Sequence, residues 1–412
     1  MVVQDVDEEI RAHTRCKVQM LSGISVLDLY CGMGGLSLGF VLALGARITG
    51  LDIDKWAVET YNLNLGRFGC EAVVQDVLKW APEGEFDIVV GGSPCQPFSV
   101  ANTVKRGEDH PLFPTFPRFF DVVLELRPKA FLMENVKGLT TKTFSRYLVQ
   151  QLSRMQGYCV RYAVLNVADY GVPQRRERLF VVGIRKDLNV NFEFPKPTHA
   201  REEYVNLNGN RVRKWVMLRE AIGDIIHLPP GKAKMVGKQK TGTIPFMDSA
   251  GRVIELPWSL YQKKHPLLDP DKPSYTLYSH MAKSSRDALL PVSEHITTDL
   301  DPLRVWGSDW GVRVMDVDSP ANTITEKHRS GQLLPVVYRR LTVRECLRIQ
   351  SFPDWWRFPN KCSVSKRYKL VGEAVPPILA YRLAVAIGKT LGMEVRSVTR
   401  NEWPVPYFDR VF

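Results

Sequence analysis

The stretch Gly91-Gly92-Ser93-Pro94-Cys95-Gln96-Pro97-Phe98-Ser99 directly follows a short apolar run, Phe86-Asp87-Ile88-Val89-Val90. The run is typical of a buried strand, and the two glycines end it. A proline on each side of Cys95-Gln96 disfavours an immediate helix. The pattern therefore predicts a thiol on a stiff loop at the carboxyl end of a strand, where open α/β sheets bind ligands. A lone cysteine is more often a small buried hydrophobe, so a structural role stays open at this point.

Upstream of this loop, two strand-and-loop units carry the pattern of a nucleotide-binding fold. Residues 24–30 read as a first strand, and Cys31-Gly32-Met33-Gly34-Gly35 opens an apolar helix. A second strand, residues 46–51, ends in Asp52, which lies twenty residues after Gly32. At that spacing a carboxylate can hold the hydroxyls of a ribose. We therefore expect a doubly wound sheet and an adenosine-containing cofactor, with NAD, FAD and a ligand-free tight turn still open.

Downstream, two further apolar strands are followed or preceded by charged residues. The strand Ala130-Phe131-Leu132-Met133 leads into Glu134-Asn135-Val136, and Gln174-Arg175-Arg176-Glu177-Arg178 precedes the strand at 179–184. A carboxylate beside a buried strand is costly unless it is paired or used, although such acids also cap helices. The arginines are either a solvated edge or donors to an anionic substrate.

Composition limits the class of protein. The chain has 412 residues, and 56 Lys and Arg against 44 Asp and Glu give a formal charge of +12, which suits a polyanionic partner such as nucleic acid. The seven cysteines are odd in number, scattered and without a CxxC pair, so neither a disulfide framework nor a zinc site is predicted. The start of the chain has no signal-peptide pattern, and no membrane-spanning run is expected. A cytoplasmic protein follows from these features.

Two more motifs near the C-terminal end belong with the four already described. They are Arg340-Leu341-Thr342-Val343-Arg344-Glu345-Cys346-Leu347-Arg348-Ile349-Gln350-Ser351-Phe352-Pro353 and Gly372-Glu373-Ala374-Val375-Pro376-Pro377. With the glycine loop, the Cys95 loop, Glu134-Asn135-Val136 and the arginine motif, six elements stand in order. In this combination the chain resembles the DNA (cytosine-5)-methyltransferases of bacteria and archaea. The resemblance covers nearly the whole sequence except the lead-in and much of residues 187–335.

The resemblance implies a catalytic set. Cys95 would attack carbon 6 of cytosine, Glu134 would hydrogen-bond ring nitrogen 3, and Arg178 would contact the base oxygen. Arg176 would help to hold the pocket in place. The chemistry itself needs a thiol, a carboxyl group and a cation on one face, and these residues supply all three.

The implied cofactor is S-adenosylmethionine. Phe40 and the glycine loop would hold its methionine end, Asp52 its ribose, and Ile53 and Asp76 its adenine. Two positions depart from the family: Ile53 stands where a larger side chain is common, and Glu373 stands where asparagine is usual. The full expected cofactor set is Leu29, Gly32, Gly34, Gly35, Phe40, Asp52, Ile53, Asp76, Pro94, Glu373 and Val375.

The implied substrate is double-stranded DNA, whose target base must be flipped out of the duplex. Residues 99–116 would form a loop that closes over the base, with its charges either on phosphates or simply on the surface. Two similar passages, residues 272–291 and 319–335, would carry basic residues to DNA, unless they are a coincidence of turn signals. The expected DNA-binding set is Gln96, Ser99, Lys105, Arg106, His280, Lys283, Arg286, Lys327, His328 and Arg329.

The predicted architecture is an α/β protein with a doubly wound Rossmann-like methyltransferase domain and a second, smaller, irregular β-rich target-recognition domain. We place the first part of the catalytic domain at residues 1–186, the recognition domain at 187–340, and the hinge and return at 341–412. A monomer is expected, with a cognate restriction endonuclease acting separately. The alternatives are a tRNA cytosine-5 methyltransferase and a catalytically silent DNA-binding subunit.

Overall fold

A computed structural model describes residues 23–99, 105–225 and 342–412, and gives only the backbone positions of short strands between residues 243 and 340. Six predicted DNA contacts lie outside the described residues: His280, Lys283, Arg286, Lys327, His328 and Arg329.

The largest sheet carries the residues of interest. The first eight strands along the chain are β1 (Ser25–Leu29), β2 (Arg47–Asp52), β3 (Glu71–Val74), β4 (Ile88–Gly92), β5 (Ala130–Val136), β6 (Tyr158–Asn166), β7 (Gln174–Arg175) and β8 (Glu177–Arg185). Seven of them form one sheet in the order β3-β2-β1-β4-β5-β8-β6. The five strands from β3 to β5 are parallel, whereas β8 runs antiparallel to both β5 and β6. The predicted large α/β sheet is confirmed.

The carboxyl ends of the parallel strands share one edge of this sheet. The crossover from β1 to β4 leaves a switch point there, as in open α/β folds that bind a ligand at this place. The structure corrects one boundary, because β5 continues through Val136 rather than ending at Met133. The antiparallel pairing with β8 holds Glu134 inside the ladder, opposite Phe180.

Helices cover both faces of the sheet. Those in the described part of the chain are α1 (Gly35–Leu44), α2 (Lys55–Leu65), α3 (Thr115–Leu126), α4 (Ser145–Arg154), α5 (Leu218–Ile222), α6 (Val343–Ile349), α7 (Val364–Glu373), α8 (Pro377–Thr390) and α9 (Phe408–Val411). Neighbouring strand residues enter different cores: Val26 packs on one face and Leu27 on the other. Because both faces are covered, the central strands β1, β4 and β5 are mostly buried and mostly apolar.

The return of the chain packs tightly on the first helix. A Cβ atom at Gly39 of α1 would lie only 2.4 Å from the backbone nitrogen of Tyr381 in α8, so the two helices meet at a glycine. Thr342 caps α6: the Glu345 backbone N–H donates to Thr342 Oγ1 at 3.2 Å, and the Glu345 carboxylate accepts from the Thr342 backbone N–H at 2.6 Å. The C-terminal segment is thus part of the main core.

The sequence analysis predicts no membrane-spanning run, but the stretch Val364–Thr390 is long and apolar enough to cross a membrane by length and composition alone. In the fold it forms two helices, α7 and α8, because Pro376 and Pro377 end one and begin the other. Of the 18 most apolar consecutive residues in this stretch, 72% are buried inside the protein, as in the core helix of a globular domain.

The remaining strands are short. They are β9 (His199–Ala200), β10 (Tyr204–Val205), β11 (Arg211–Lys214), β12 (Thr243–Met247), β13 (Val253–Pro257), β14 (Ser274–Tyr275), β15 (Leu289–Pro291) and β16 (Tyr338–Arg340). The first of the two similar passages contains β14, which pairs in parallel with β7 of the arginine motif, and β15, which pairs with β16. The passage at 319–335 lies outside the described residues, and a separate β-rich recognition domain stays a prediction.

Candidate active site

The loop that carries Cys95 is held from both sides. Asn135 on β5 donates from Nδ2 to the Ser93 carbonyl at 3.2 Å and to Ser93 Oγ at 3.0 Å. The Phe98 backbone N–H donates to the Cys95 carbonyl at 3.0 Å, which closes a turn. The Phe98 ring is fully buried and lies 5.1 Å from the ring of Phe116, centroid to centroid. The predicted stiff loop is therefore present, and Cys95 sits partly exposed at its centre.

Glu134 reaches the same place from the next strand. It is paired in register with Gly92, the last residue of β4, and a Cβ atom at Gly92 would lie 3.1 Å from Glu134 Oε2. The glycine therefore leaves room for the carboxylate. On the other side Arg178 Nε lies 3.1 Å from Glu134 Oε1, and the two side chains are only 14% and 11% exposed. The carboxyl group is thus enclosed between a glycine and a cation.

The surroundings shift the protonation of both reactive groups. Burial raises the pKa of Glu134 above its ordinary value, while Arg178 and then Arg176 oppose that shift. Burial also raises the pKa of the Cys95 thiol, and Arg178 is the largest opposing influence, ahead of the raising effect of Glu134. The free protein therefore favours a protonated thiol, with Arg178 as the nearest source of stabilisation for a thiolate.

Arg176 has a different position from Arg178. Its guanidinium is 3% exposed and donates from Nη1 and Nη2 to the Gly372 carbonyl, both at 3.1 Å, and from Nη2 to the Ala374 carbonyl at 3.4 Å. It therefore clamps the turn between α7 and α8 while its charge still acts on Cys95 and Glu134. This geometry agrees with a supporting role rather than contact with a base.

The glycine loop lies beside this site, at the end of β1. Gly32 and Gly34 have φ of +54° and +93°, which disfavour side chains. Asp52 at the end of β2 accepts from the Gly32 N–H through Oδ2 and from the Asp54 N–H through Oδ1, both at 2.8 Å. The adjacent Ile53 is 70% exposed, an unusual state for a large aliphatic side chain next to a buried strand. The site therefore presents the oriented carboxylate of Asp52 beside the exposed apolar side chain of Ile53.

Other predicted cofactor residues fall into two groups. Pro94 is partly exposed on the Cys95 loop, and Asp76 is partly exposed with Oδ1 accepting from the Leu78 N–H at 3.0 Å. Leu29 and Phe40 have no exposed surface. Leu29 could offer only its backbone, and Phe40 packs inside the core from the middle of α1. Phe40 is therefore corrected from a ligand contact to a core residue, because a helix buried on all sides leaves it no open face.

Comparison with known proteins identifies the family. The sequence profile of the C-5 cytosine-specific DNA methylases matches residues 24–389. The chain belongs to this family. It is a DNA (cytosine-5-)-methyltransferase, as the motifs predicted. This assignment favours DNA over the tRNA alternative and an enzyme over the silent binding subunit.

Individual relatives of the methyltransferase span nearly its whole length. The type II methyltransferase M.MthTI of Methanothermobacter thermautotrophicus is 33% identical over 375 residues, which cover 89% of this chain and 98% of the relative. The type II methyltransferase M.FnuDI of Fusobacterium nucleatum is 31% identical over 375 residues, covering 89% and 95%. Among solved structures, S. pombe Dnmt2 methyltransferase has a TM-score of 0.55 at 17% identity, covering 89% and 98% of the two chains. Entamoeba histolytica methyltransferase EhMeth has 0.55 at 14%, covering 90% and 99%. These structures share the fold.

The predicted DNA-side residues of the methyltransferase lie on and after the Cys95 loop. Gln96 and Ser99 are partly exposed on it, and Lys105 is exposed. Arg106 donates from Nη2 to the Ser99 carbonyl at 3.0 Å, and its guanidinium carbon lies 5.6 Å from the centre of the Phe144 ring. In this state Arg106 therefore holds the loop rather than facing outward. Residues 100–104 lie outside the described residues.

Sequence reasoning missed several buried polar residues near the methyltransferase site. Asp28 lies under the glycine loop, where burial raises its pKa to about 7, and its Oδ2 accepts from Ser37 Oγ at 2.6 Å. Gln174 and Gln350 are both fully buried, and Gln174 Nε2 donates to Gln350 Oε1 at 2.6 Å. Both glutamines lie in the motifs quoted above, but they are 176 residues apart, so the sequence does not show that they are paired. No group of three or more His, Cys, Asp or Glu suited to a metal occurs in the part of the chain that the structure describes.

Proposed function

We propose that the enzyme methylates carbon 5 of a flipped-out cytosine in double-stranded DNA through a covalent adduct between Cys95 and carbon 6. The observation that supports this most strongly is the meeting of three groups at one sheet edge. The Cys95 loop follows β4, Glu134 lies on β5, and Arg178 pairs with Glu134 from β8. A nucleophile, an acid and a cation within one enclosed site match what addition to an aromatic pyrimidine requires.

Each residue has a role that follows from its surroundings. The Cys95 thiol gives its proton to solvent water, and the resulting thiolate forms a bond from sulfur to carbon 6, which makes carbon 5 electron-rich. Glu134, whose pKa is raised by burial, retains or shares a proton and gives it to ring nitrogen 3, where negative charge develops. Arg178 holds that carboxyl group and stabilises the thiolate. After methylation, carbon 5 loses its proton to a base, and the electron pair reforms the ring double bond and expels the Cys95 thiolate. Ring nitrogen 3 then returns its proton to Glu134, which restores the neutral base and the acid.

The residues present fit S-adenosylmethionine. Asp52 is oriented by two backbone N–H groups and keeps lone pairs for ribose hydroxyls, while the exposed Ile53 offers an apolar face for adenine. The left-handed glycines Gly32 and Gly34 leave the loop without side chains where a ligand would approach closely. When bound there, the cofactor supplies a methyl group on a positively charged sulfur. Gly35 and Val375 would border its methionine end.

Flipping of the target base and reading of its sequence belong to the same proposal. Unstacking one base costs a few kcal/mol, which contacts to the DNA backbone must offset. We assign sequence reading to residues 187–340, because this part of the chain is basic and irregular in sequence. Replacing it with the corresponding segment of a relative that methylates a different site should move the methylated position. An active chimera with an unchanged site would argue against this assignment.

A trapping experiment tests the chemistry. DNA with 5-fluorocytosine at the target position, mixed with enzyme and S-adenosylmethionine, should form a covalent complex, because fluorine cannot leave as the proton does. The Cys95→Ala variant should form none, although it should still bind the DNA. Bisulfite sequencing of DNA treated with the wild type would give the target site. A covalent complex that persists in Cys95→Ala would overturn the proposed nucleophile.

A further inference from the structure

A buried hydrogen-bond network lies behind the turn that joins α7 to α8. Gln350, just after α6, uses both ends of its amide there. Its Oε1 accepts from Gln174 Nε2 at 2.6 Å, and its Nε2 donates to the carbonyls of Val371 at 3.1 Å and Ala374 at 2.6 Å. Gln350 and Gln174 have no exposed surface. The orientation of the Gln350 amide is therefore set by its partners, with donors toward the turn and the acceptor toward β7.

The same turn receives a second set of donors. Arg176, one residue past β7, donates to the carbonyls of Gly372 and Ala374. Three carbonyl groups of this turn, those of Val371, Gly372 and Ala374, are thus bonded to side chains from two distant parts of the chain. Carbonyls at the end of a helix lack the usual helical partner, and the side chains supply donors to those of Gly372 and Ala374. The Val371 carbonyl accepts from Gln350 in addition to the Ala374 backbone N–H at 3.3 Å. The network ties the arginine motif, the end of α6 and the turn into one unit.

The position of this turn sets one wall of the glycine loop. The Val375 carbonyl oxygen would lie 2.2 Å from a Cβ atom at Gly35, the first residue of α1. The two backbones therefore meet with no space between them. A shift of the turn by a few tenths of an ångström would open or close the loop on that side. Whatever fixes the turn also fixes the shape of the loop.

We propose that Gln350 is a positioning residue for cofactor binding, which acts by holding the 371–375 turn against the glycine loop. The inference rests on the proposed binding of S-adenosylmethionine at that loop. Gln350 does not reach the loop itself, so its effect is on affinity for the cofactor and not on the chemical step. Gln174 supports it from the far side by fixing the amide orientation.

The amide offers a substitution that separates positioning from simple core packing. Gln350→Glu keeps the shape and the bond from Gln174, but an ionised carboxylate cannot donate to the Val371 and Ala374 carbonyls. When protonated, it regains one O–H donor. A positioning role therefore predicts that cofactor binding to Gln350→Glu recovers as the pH falls. Gln350→Met, which cannot donate at any pH, should show no such recovery.

The experiment is calorimetry with S-adenosylmethionine on the full-length protein at about pH 5.5 and about pH 8, with wild type as reference at each pH. Gln350→Glu should bind about tenfold or more weakly at the higher pH and approach wild type at the lower one. Gln350→Met should bind weakly at both. In steady-state assays the KM for the cofactor should rise while kcat at saturating cofactor stays within about threefold. Gln151→Met, which alters a buried glutamine on α4, serves as the matched control and should leave affinity unchanged.

Three outcomes would overturn the inference. The first is unchanged cofactor affinity in folded Gln350→Met and Gln350→Glu. The second is a loss of kcat with an unchanged KM. If neither variant folds, Gln174→Met is used instead, because it leaves the turn bonded to Gln350 and should weaken cofactor binding by a smaller factor. The third outcome is unchanged cofactor binding in that variant. A wild type that does not bind S-adenosylmethionine would instead refute the proposed function on which the inference depends.

Discussion

Arg178 and Glu134 form an ion pair of 3.1 Å between Nε and Oε1, across neighbouring strands and with both side chains almost enclosed. Glu134 lies opposite Phe180 in the ladder, so Arg178 reaches it diagonally from two residues away. Burial nevertheless keeps the pKa of Glu134 raised. The pair therefore holds the carboxyl group in one orientation without preventing it from carrying a proton, which is the combination that a general acid needs.

The first prediction concerns this acid. Glu134→Gln keeps the size and the hydrogen-bonding oxygen but loses the exchangeable proton, so turnover should fall by roughly 10²-fold or more. Affinity for DNA and for S-adenosylmethionine should stay near that of wild type. Single-turnover methylation and calorimetry measure the two effects separately. The exposed Glu125, which pairs with Arg118 on the surface, provides the control variant Glu125→Gln, and no rate loss is expected there. A parallel collapse of both affinities would make Glu134 a structural residue.

The second prediction concerns the close contact between the glycine loop and the 371–375 turn. Gly35→Ala would place a Cβ atom 2.2 Å from the Val375 carbonyl oxygen, and backbone atoms on both sides must then move. We expect a lower melting temperature and much weaker binding of S-adenosylmethionine. Gly66→Ala is the matched control, because its Cβ would meet nothing within 4 Å and its φ is helical at −55°. That variant should be neutral or stabilising by about 0.4–1 kcal/mol. Normal cofactor binding by Gly35→Ala would contradict the contact.

The third prediction is a pH dependence of stability that arises from Asp28. Burial raises the pKa of Asp28 from 3.8 to about 7 in the folded protein. The unfolded chain therefore releases this proton at lower pH than the folded protein, so the Asp28 contribution destabilises progressively as the pH rises between those two values. Asp28→Asn carries no charge and keeps an acceptor for Ser37 Oγ. Its melting temperature should exceed that of wild type clearly at about pH 8 and much less at about pH 4. An equal difference at both pH values would mean that ionisation of Asp28 is not involved.

The sequence predicted those parts of the site that depend on local order. Strand ends and glycines are visible as short patterns, so the sequence places the glycine loop, the Cys95 loop and Glu134 each directly after a strand. The family resemblance assigns Phe40 to the cofactor, but it cannot show that α1 of this chain is buried on every side. The contact of Gln174 with Gln350 joins residues 176 positions apart, and no local pattern reports a partner at that distance. Arg176 and Arg178 are only two residues apart in one motif, yet they have different partners. Arg176 lies in the break between β7 and β8 and donates to the Gly372 carbonyl, whereas Arg178 lies within β8 and pairs with Glu134.

The last prediction concerns Glu373, where the family usually has asparagine. The Glu373 Oε1 atom lies 3.9 Å from Lys369 Nζ, one helical turn earlier. Such an exposed pair contributes only about 0–1 kcal/mol, so it does not account for a departure from the family. Burial raises the pKa of Glu373, and Asp52 and Asp54 add to the shift while Lys369 and Lys366 oppose it.

Glu373 also raises the pKa of Cys95, as the smallest of the influences on that thiol. S-adenosylmethionine carries positive charge on sulfur, whereas its product, S-adenosylhomocysteine, has a neutral sulfur. If Glu373 contacts the cofactor, Glu373→Gln should weaken binding of S-adenosylmethionine by roughly three- to tenfold and binding of the product by less. Lys369→Met removes the competing cation, so the preference for S-adenosylmethionine over its product should stay the same or become stronger. Calorimetry with both ligands on wild type and the two variants measures it, and identical affinities in Glu373→Gln and wild type would leave Glu373 as a partner of Lys369 alone.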